Sequence, residues 1–159
     1  MAFADDLLEQ AYHLVRKDGH NPKQASVRHA VSTAYYALFH LLIDEAVGNW
    51  SIARQRSILA RTFEHAKMRK CCDDYVSSFY AAGQPASSLI LKDVTQTFSE
   101  LQQKRHTADY DNSYNWTKVN AESWIDKASV AFENWRKVRE QAEAQDFLLS
   151  LFLPKLPRQ

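Results

Sequence analysis

The sequence predicts an all-α protein with one domain, built as a bundle of about five helices with antiparallel neighbours. Only three glycines and four prolines interrupt its 159 residues, so few positions favour turns. Apolar residues recur at helical spacing between these breaks, and no segment shows the period of two that a strand requires. A hydrophobic content of 45% is enough for one core of ordinary size.

Short breaks divide the chain into its expected elements. The predicted helices cover residues 5–17, 22–48, 51–82, 87–105 and 117 onward. Asp5 and Thr117 are expected N-caps, and a bend is expected near the two cysteines of the third helix. The core of the domain is assigned to residues 5–139, with residues 140–159 as a C-terminal extension. The apolar run at 146–153 is too short to span a membrane, so we expect it to dock onto the bundle or a second protomer.

The formal net charge of +1 creates no overall field that would attract nucleic acid or a membrane. Basic residues instead cluster within residues 51–70, where six Arg and Lys side chains accompany one acid, Glu64. Arg54, Arg56 and Arg61 are candidate phosphate-binding residues, because clustered cations are what phosphate contacts require. The same cluster also fits a solvated helix face.

No segment near the start combines a basic region with an apolar one as a secretory signal does, and no apolar run has the length of a membrane span. Cys71 and Cys72 are adjacent and are the only cysteines, which favours neither a disulfide nor a zinc site. We therefore expect a cytoplasmic protein with no membrane contact, no metal and no cofactor.

A polar stripe runs along the second predicted helix. His29, Thr33, Tyr36 and His40 recur at spacings of four, three and four, which places them on one side of the helix. One interpretation is that these side chains fill core volume and send a polar atom to a partner, as buried tyrosines usually do. The other is that they line a polar cleft, and they are the candidate cleft-lining residues.

The segment QKRHTADYD, residues 103–111, crowds charged groups at the expected end of the fourth helix. Lys104, Arg105 and His106 suit the negative end of the helix dipole without any function. Asp109 and Asp111 then pair with them or cap the following turn. The alternative is that the segment lines a functional site.

Two motifs, AYYALFH in the second helix and RHTADY at the end of the fourth, together resemble the HEPN superfamily. These are small helical bundles of prokaryotic defence, toxin–antitoxin and nucleotide-signalling systems, and the chain is similar to a branch with an AYYA-F-H helix and an R-x-x-ADY motif. The matching residues are Ala34, Tyr35, Tyr36, Ala37, Phe39, His40, Arg105, Ala108, Asp109 and Tyr110. The order of helices matches over residues 5–139. The resemblance implies a homodimer with a cleft between its protomers.

In active HEPN nucleases, an arginine and a histidine separated by four to six residues line that cleft and cleave RNA without metal. The resemblance assigns Arg105 to the arginine position, where a guanidinium would hold the scissile phosphate and stabilise its developing charge. The three positions where the histidine is expected hold Tyr110, Asp111 and Asn112 instead. Arg16 and Arg61 each precede a histidine, His20 and His65, but by four residues, which is one too few.

His106, Asp109 and Tyr110 remain as candidate catalytic residues beside Arg105. A tyrosine is a poor general base at neutral pH, because the ordinary pKa of a phenol is about 10. Adjacent residues on a helix point about 100° apart, so His106 replaces the missing imidazole only if the helix has unwound at that point.

Three functions are compatible with these residues. The first is an atypical metal-independent endoribonuclease or RNA-binding dimer of a toxin–antitoxin or defence system. The second is a non-catalytic interaction module, in which Arg105, Asp109 and Tyr110 form a structural network or bind a nucleotide or partner. By resemblance, that partner is a small nucleotidyltransferase acting as antitoxin. The third is a helical scaffold without a site.

Overall fold

A computed structural model describes residues 2–82 and 86–153, which form α-helices and no strand. The helices are α1 (Phe3–Arg16), α2 (Gln24–Gly48), α3 (Ala53–Ala60), α4 (His65–Ala82), α5 (Ala86–Tyr110), α6 (Lys118–Val138) and α7 (Ala142–Ser150). The all-α prediction is confirmed. The described residues contain seven helices where about five were expected, because two of the predicted helices are each divided.

The predicted third helix is divided into α3 and α4 at residues 61–64. The Thr62 hydroxyl donates to the Leu59 carbonyl at 2.7 Å, and such a local bond competes with helix continuation. The bend expected near the cysteines was wrong, since Cys71 and Cys72 lie within α4 and Cys72 is fully buried. A similar break after Val138 separates α6 from α7.

The helix ends near the two motifs differ from the prediction in a way that matters for the site. α5 continues to Tyr110, five residues past the expected end at Arg105. The RHTADY segment is therefore helical throughout, and its side chains point in fixed directions around the axis.

Thr117 is the N-cap of α6 as expected, with its side chain accepting from the Asn120 backbone N–H. Asp5 lies inside α1 and is not its N-cap.

α2 is the central helix, and it packs against α1, α5 and α6. Its apolar face is buried over most of its length because Val27, Ala34, Leu38 and Leu42 follow helical spacing. Residues 28–36 of α2 contact residues 105–114 in reverse order, so α2 and α5 run antiparallel. The motif on α2 therefore faces the motif on α5.

The apolar C-terminal segment docks onto the same core through α7. Ala144, Phe147, Leu148 and Leu151 are buried there, which agrees with the docking expected from their composition. Leu149 stays exposed. Across residues 2–82 and 86–153, no helix combines the length and apolar character needed to cross a membrane.

Candidate functional site

Arg105 turns from α5 towards the aromatic motif of α2. Its Nη1 atom donates a hydrogen bond to the Tyr36 hydroxyl at 3.2 Å and lies 3.7 Å from Asp109 Oδ2. The guanidinium carbon is 5.1 Å from the centre of the Tyr35 ring and 5.7 Å from that of Tyr36, within cation–π range of both. The Arg105 side chain is only 15% exposed. These contacts hold the guanidinium in one position.

Arg105 nevertheless has unused capacity to donate hydrogen bonds. A guanidinium carries five N–H groups, and within the described part of the chain it donates only to Tyr36. No described residue accepts from its buried Nε atom, so the donors that a ligand could reach are those of the Nη atoms, and 3.7 Å is long for a contact with a carboxylate. The positive charge is therefore only partly compensated by the protein. An anion such as a phosphate oxygen is the group that matches the remaining donors.

Asp109 lies one turn beyond Arg105 and links it to α2. Its Oδ2 atom accepts a hydrogen bond from the Ser32 hydroxyl at 3.4 Å, and its side chain is 29% exposed. Arg105, Asp109, Ser32 and Tyr36 thus form one polar network between the two helices. The resemblance drew attention to Arg105, Asp109 and Tyr36, whereas the hydrogen bond from Ser32 to Asp109 depends on the packing of the two helices.

Arg28 anchors the end of α5 and the loop that follows it. Its guanidinium donates to the carbonyl oxygens of Ala108, Asp111 and Tyr114 at 3.2, 3.0 and 2.7 Å. One turn away, Gln24 donates to the Trp116 carbonyl at 2.6 Å and accepts from the Trp116 N–H at 3.1 Å. The sequence carried no signal for these roles, because the partners lie 80 to 92 residues away.

His65, the first residue of α4, brings an imidazole to the same aromatic cluster. Its Nδ1 atom shares a 2.7 Å hydrogen bond with the Tyr35 hydroxyl, and its ring stacks on Phe39 at 4.2 Å between centres. Burial lowers the pKa of His65, and the nearby charge of Arg105 and then His40 lower it further. Burial also raises the pKa of Tyr35, so that phenol keeps its proton.

His106 and Tyr110 lie on the other side of α5. Both are exposed, Tyr110 by 66%, and their ring centres are 5.0 Å apart. The helix has not unwound at Arg105, so the condition under which His106 could reach the guanidinium is not met. The catalytic segment predicted from sequence is therefore split between two faces of one helix.

The four candidate cleft-lining residues also lie in different surroundings. Tyr36 contacts Arg105 directly, and His40 packs between Phe3 and Phe39 with ring centres 5.0 and 5.4 Å away. The Thr33 hydroxyl donates to the carbonyl of His29 at 2.7 Å, within its own helix. His29 itself is exposed. Burial lowers the pKa of His40, against the opposing effect of Asp44.

The three candidate phosphate-binding arginines belong to α3 and its C-terminal end. α3 has no buried residue, and Arg54, Arg56 and Arg61 form no salt bridge with any described residue. Arg56 Nε donates to the Trp50 carbonyl at 2.6 Å. Because Arg61 precedes His65 by four residues, this basic segment leads into the aromatic cluster.

No protein-family model, curated protein or solved structure matches this chain. Function is therefore argued from the chemistry of the site.

Proposed function

We propose that this protein is a HEPN-like helical bundle that acts as a homodimer on RNA or nucleotides, as an atypical metal-independent endoribonuclease. The observation that carries the proposal is the Arg105 guanidinium, held on two tyrosine rings with most of its N–H groups unused. A positioned guanidinium of this kind binds a phosphodiester and stabilises the charge that develops on it during cleavage.

The surroundings of Arg105 supply the other features that the reaction needs. RNA carries its own nucleophile, the 2′-hydroxyl, and cleavage without metal requires only a positioned phosphate and proton transfer. Asp109 is the carboxylate nearest to Arg105. The unpaired arginines of α3 provide contacts for flanking phosphates, which makes binding salt-dependent. A cytoplasmic role in a toxin–antitoxin or defence system belongs to the same proposal.

The alternative function is a non-catalytic interaction module. It is favoured by the hydrogen bonds and ion pair that already connect Arg105, Asp109, Ser32 and Tyr36, since such a network also stabilises packed helices. In this case exposed Tyr110 and His106 contribute to a partner-binding surface, with a small nucleotidyltransferase antitoxin as the proposed partner.

The test is digestion of short single-stranded RNA in a chelator, with wild type compared to Arg105→Ala. The matched control is Arg16→Ala, which removes an arginine that is ion-paired to Glu122 at 2.7 Å and lies 58% exposed on α1. We expect the wild type and the control to cleave and Arg105→Ala not to. Salt-sensitive RNA binding without cleavage would refute the nuclease and leave an RNA-binding dimer. If the wild type neither binds nor cleaves RNA, an RNA-directed function is refuted and the interaction module is supported.

A further inference from the structure

We propose that His65 is the proton-transfer residue of this site and that its Nε2 atom takes the proton from the 2′-hydroxyl next to the phosphate held by Arg105. The inference rests on the proposed function. His65 belongs to α4, whereas all the catalytic residues predicted from the sequence lie on α5.

His65 and Arg105 lie against the same two aromatic rings. The centre of the His65 ring is 5.6 Å from that of Tyr35 and 5.8 Å from that of Tyr36. The guanidinium carbon of Arg105 is 5.1 and 5.7 Å from the same two ring centres. One pair of tyrosines therefore positions both a phosphate-binding group and an imidazole. The charge of Arg105 is close enough to His65 to lower the pKa of its imidazole.

The imidazole is fixed in one orientation. Stacking on Phe39 sets the plane of the ring, and the bond to the Tyr35 hydroxyl sets its rotation. His65 Nε2 makes no hydrogen bond to any residue in the described part of the chain, and the side chain is partly exposed. Either group can donate in this bond, and the proposal requires the tautomer whose Nδ1–H donates to the Tyr35 oxygen, because that tautomer leaves the Nε2 lone pair to a substrate.

The protonation state of His65 suits a base. Tyr35, Tyr36 and His40 of α2 and Arg105 of α5 are the ionisable groups that face it. Burial and the positive charge of Arg105 lower its pKa, so the imidazole is neutral near pH 7. A phosphate bound to Arg105 compensates that charge. Substrate binding therefore makes His65 more basic at the moment when it must accept a proton.

The reaction balances without any further reagent. The 2′-O–H bond breaks and its proton moves to His65 Nε2, while the 2′-oxygen forms a bond to the adjacent phosphorus. The P–O5′ bond then breaks, leaving a 2′,3′-cyclic phosphate, and the 5′-oxygen takes a proton from water. His65 returns its proton to solvent. Arg105 stabilises the additional negative charge on the phosphate oxygens.

The test compares His65→Gln and His65→Ala with wild type, in chelator, on a short single-stranded RNA. The matched control is His13→Gln, which removes an exposed histidine of α1. We expect the cleavage rate of both His65 variants to fall by about 100-fold or more, the usual contribution of a general base. RNA binding measured by fluorescence anisotropy is expected to stay within about twofold of wild type, because Arg105 remains.

Two further measurements separate proton transfer from a structural role. Added imidazole should restore cleavage to His65→Ala, which a purely structural defect would not allow. Tyr35→Phe keeps the ring but removes the partner of His65 Nδ1, and we expect it to slow cleavage by about tenfold with binding unchanged.

The outcomes distinguish this inference from the proposed function. If Arg105→Ala abolishes cleavage while His65→Gln retains it, the inference is overturned and the proposed function stands. A folded His65→Ala that has lost both binding and cleavage, with no imidazole rescue, also overturns it. If wild type binds RNA without cleaving it, the role of His65 and the nuclease activity are both refuted. If wild type neither binds nor cleaves RNA, the RNA-directed function is refuted as well.

Discussion

The last turns of α5 carry two chemically similar faces whose surroundings differ. On the inner face, Arg105 and Asp109 contact α2 through Tyr36 and Ser32. On the outer face, His106 packs against Tyr110, and both side chains are exposed. All four residues lie within five positions of one another along the chain. Neighbouring positions on this helix point to opposite sides of it. The packing of α4, in contrast, places His65 against the same two tyrosine rings as Arg105, which lies 40 residues away in the chain.

The comparison is tested most strongly by removing the guanidinium of the inner face. Arg105→Ala should lower the rate of RNA cleavage by about a thousandfold, the usual loss for a charge-stabilising donor. It should also lower the free energy of unfolding by about 1–2 kcal/mol, because one hydrogen bond and the cation–π contacts are lost. Metal-free kinetics and urea denaturation measure the two effects. A loss of stability with unchanged cleavage would assign Arg105 to packing alone.

Substitution of Arg28 tests whether the inner face of α5 depends on the loop at residues 111–116. Arg28→Ala removes three hydrogen bonds to carbonyl oxygens, of which the Asp111 oxygen keeps a 3.4 Å bond from the Tyr114 N–H, and should lower the free energy of unfolding by about 3 kcal/mol. Amide hydrogen exchange should speed up at residues 111–116. Arg16→Ala is the matched control, since an exposed ion pair contributes about 0.5 kcal/mol. Equal effects of the two variants would show that the loop is held by other contacts.

The pH dependence of the free energy of unfolding tests the environment of His65. The folded-state pKa of His65 and of His40 is lowered, so the unfolded chain binds their protons more readily. Their contribution to the free energy of unfolding should therefore be fully present above the ordinary histidine pKa of about 6.5. It should decrease as the pH drops below that value. His65→Gln should make this decrease shallower, as measured by urea denaturation between pH 5 and pH 8. A decrease that is equally steep in His65→Gln and in wild type would contradict the assignment.

The smallest effects are expected on the outer face. His106→Gln and Tyr110→Phe remove groups that contact mainly each other, so each should change the free energy of unfolding by less than about 0.5 kcal/mol. RNA cleavage should stay within about twofold of wild type. Tenfold slower cleavage in either variant would place the chemistry on the outer face instead.

Much of the helical architecture could be predicted because it depends on local pattern. Apolar residues at helical spacing predicted helices with a buried face, which in α2 includes Ala34, Leu38 and Leu42, and Thr117 predicted the start of α6. The break between α3 and α4 was missed because no glycine or proline marks residues 61–64. There, the Thr62 side chain and the packing of His65 end one helix and begin the next.

Only some of the residues around Arg105 could be predicted from sequence, because the others reach it through tertiary contacts. Motif resemblance identified Arg105, Asp109 and Tyr36, but the helical end of α5 separated them from His106 and Tyr110. The roles of Arg28 and His65 depend on partners at least 30 residues away. The one available signal for His65 was a histidine that follows the basic segment.

RNA cleavage is proposed to take place at the inner face of α5, completed by His65 of α4. The most direct test places wild type, Arg105→Ala, His65→Gln and His106→Gln side by side on one labelled single-stranded RNA in chelator. We expect cleavage by wild type and His106→Gln, and loss of cleavage in Arg105→Ala and His65→Gln. Cleavage that survives in His65→Gln and disappears in His106→Gln, or no cleavage by wild type, would contradict it.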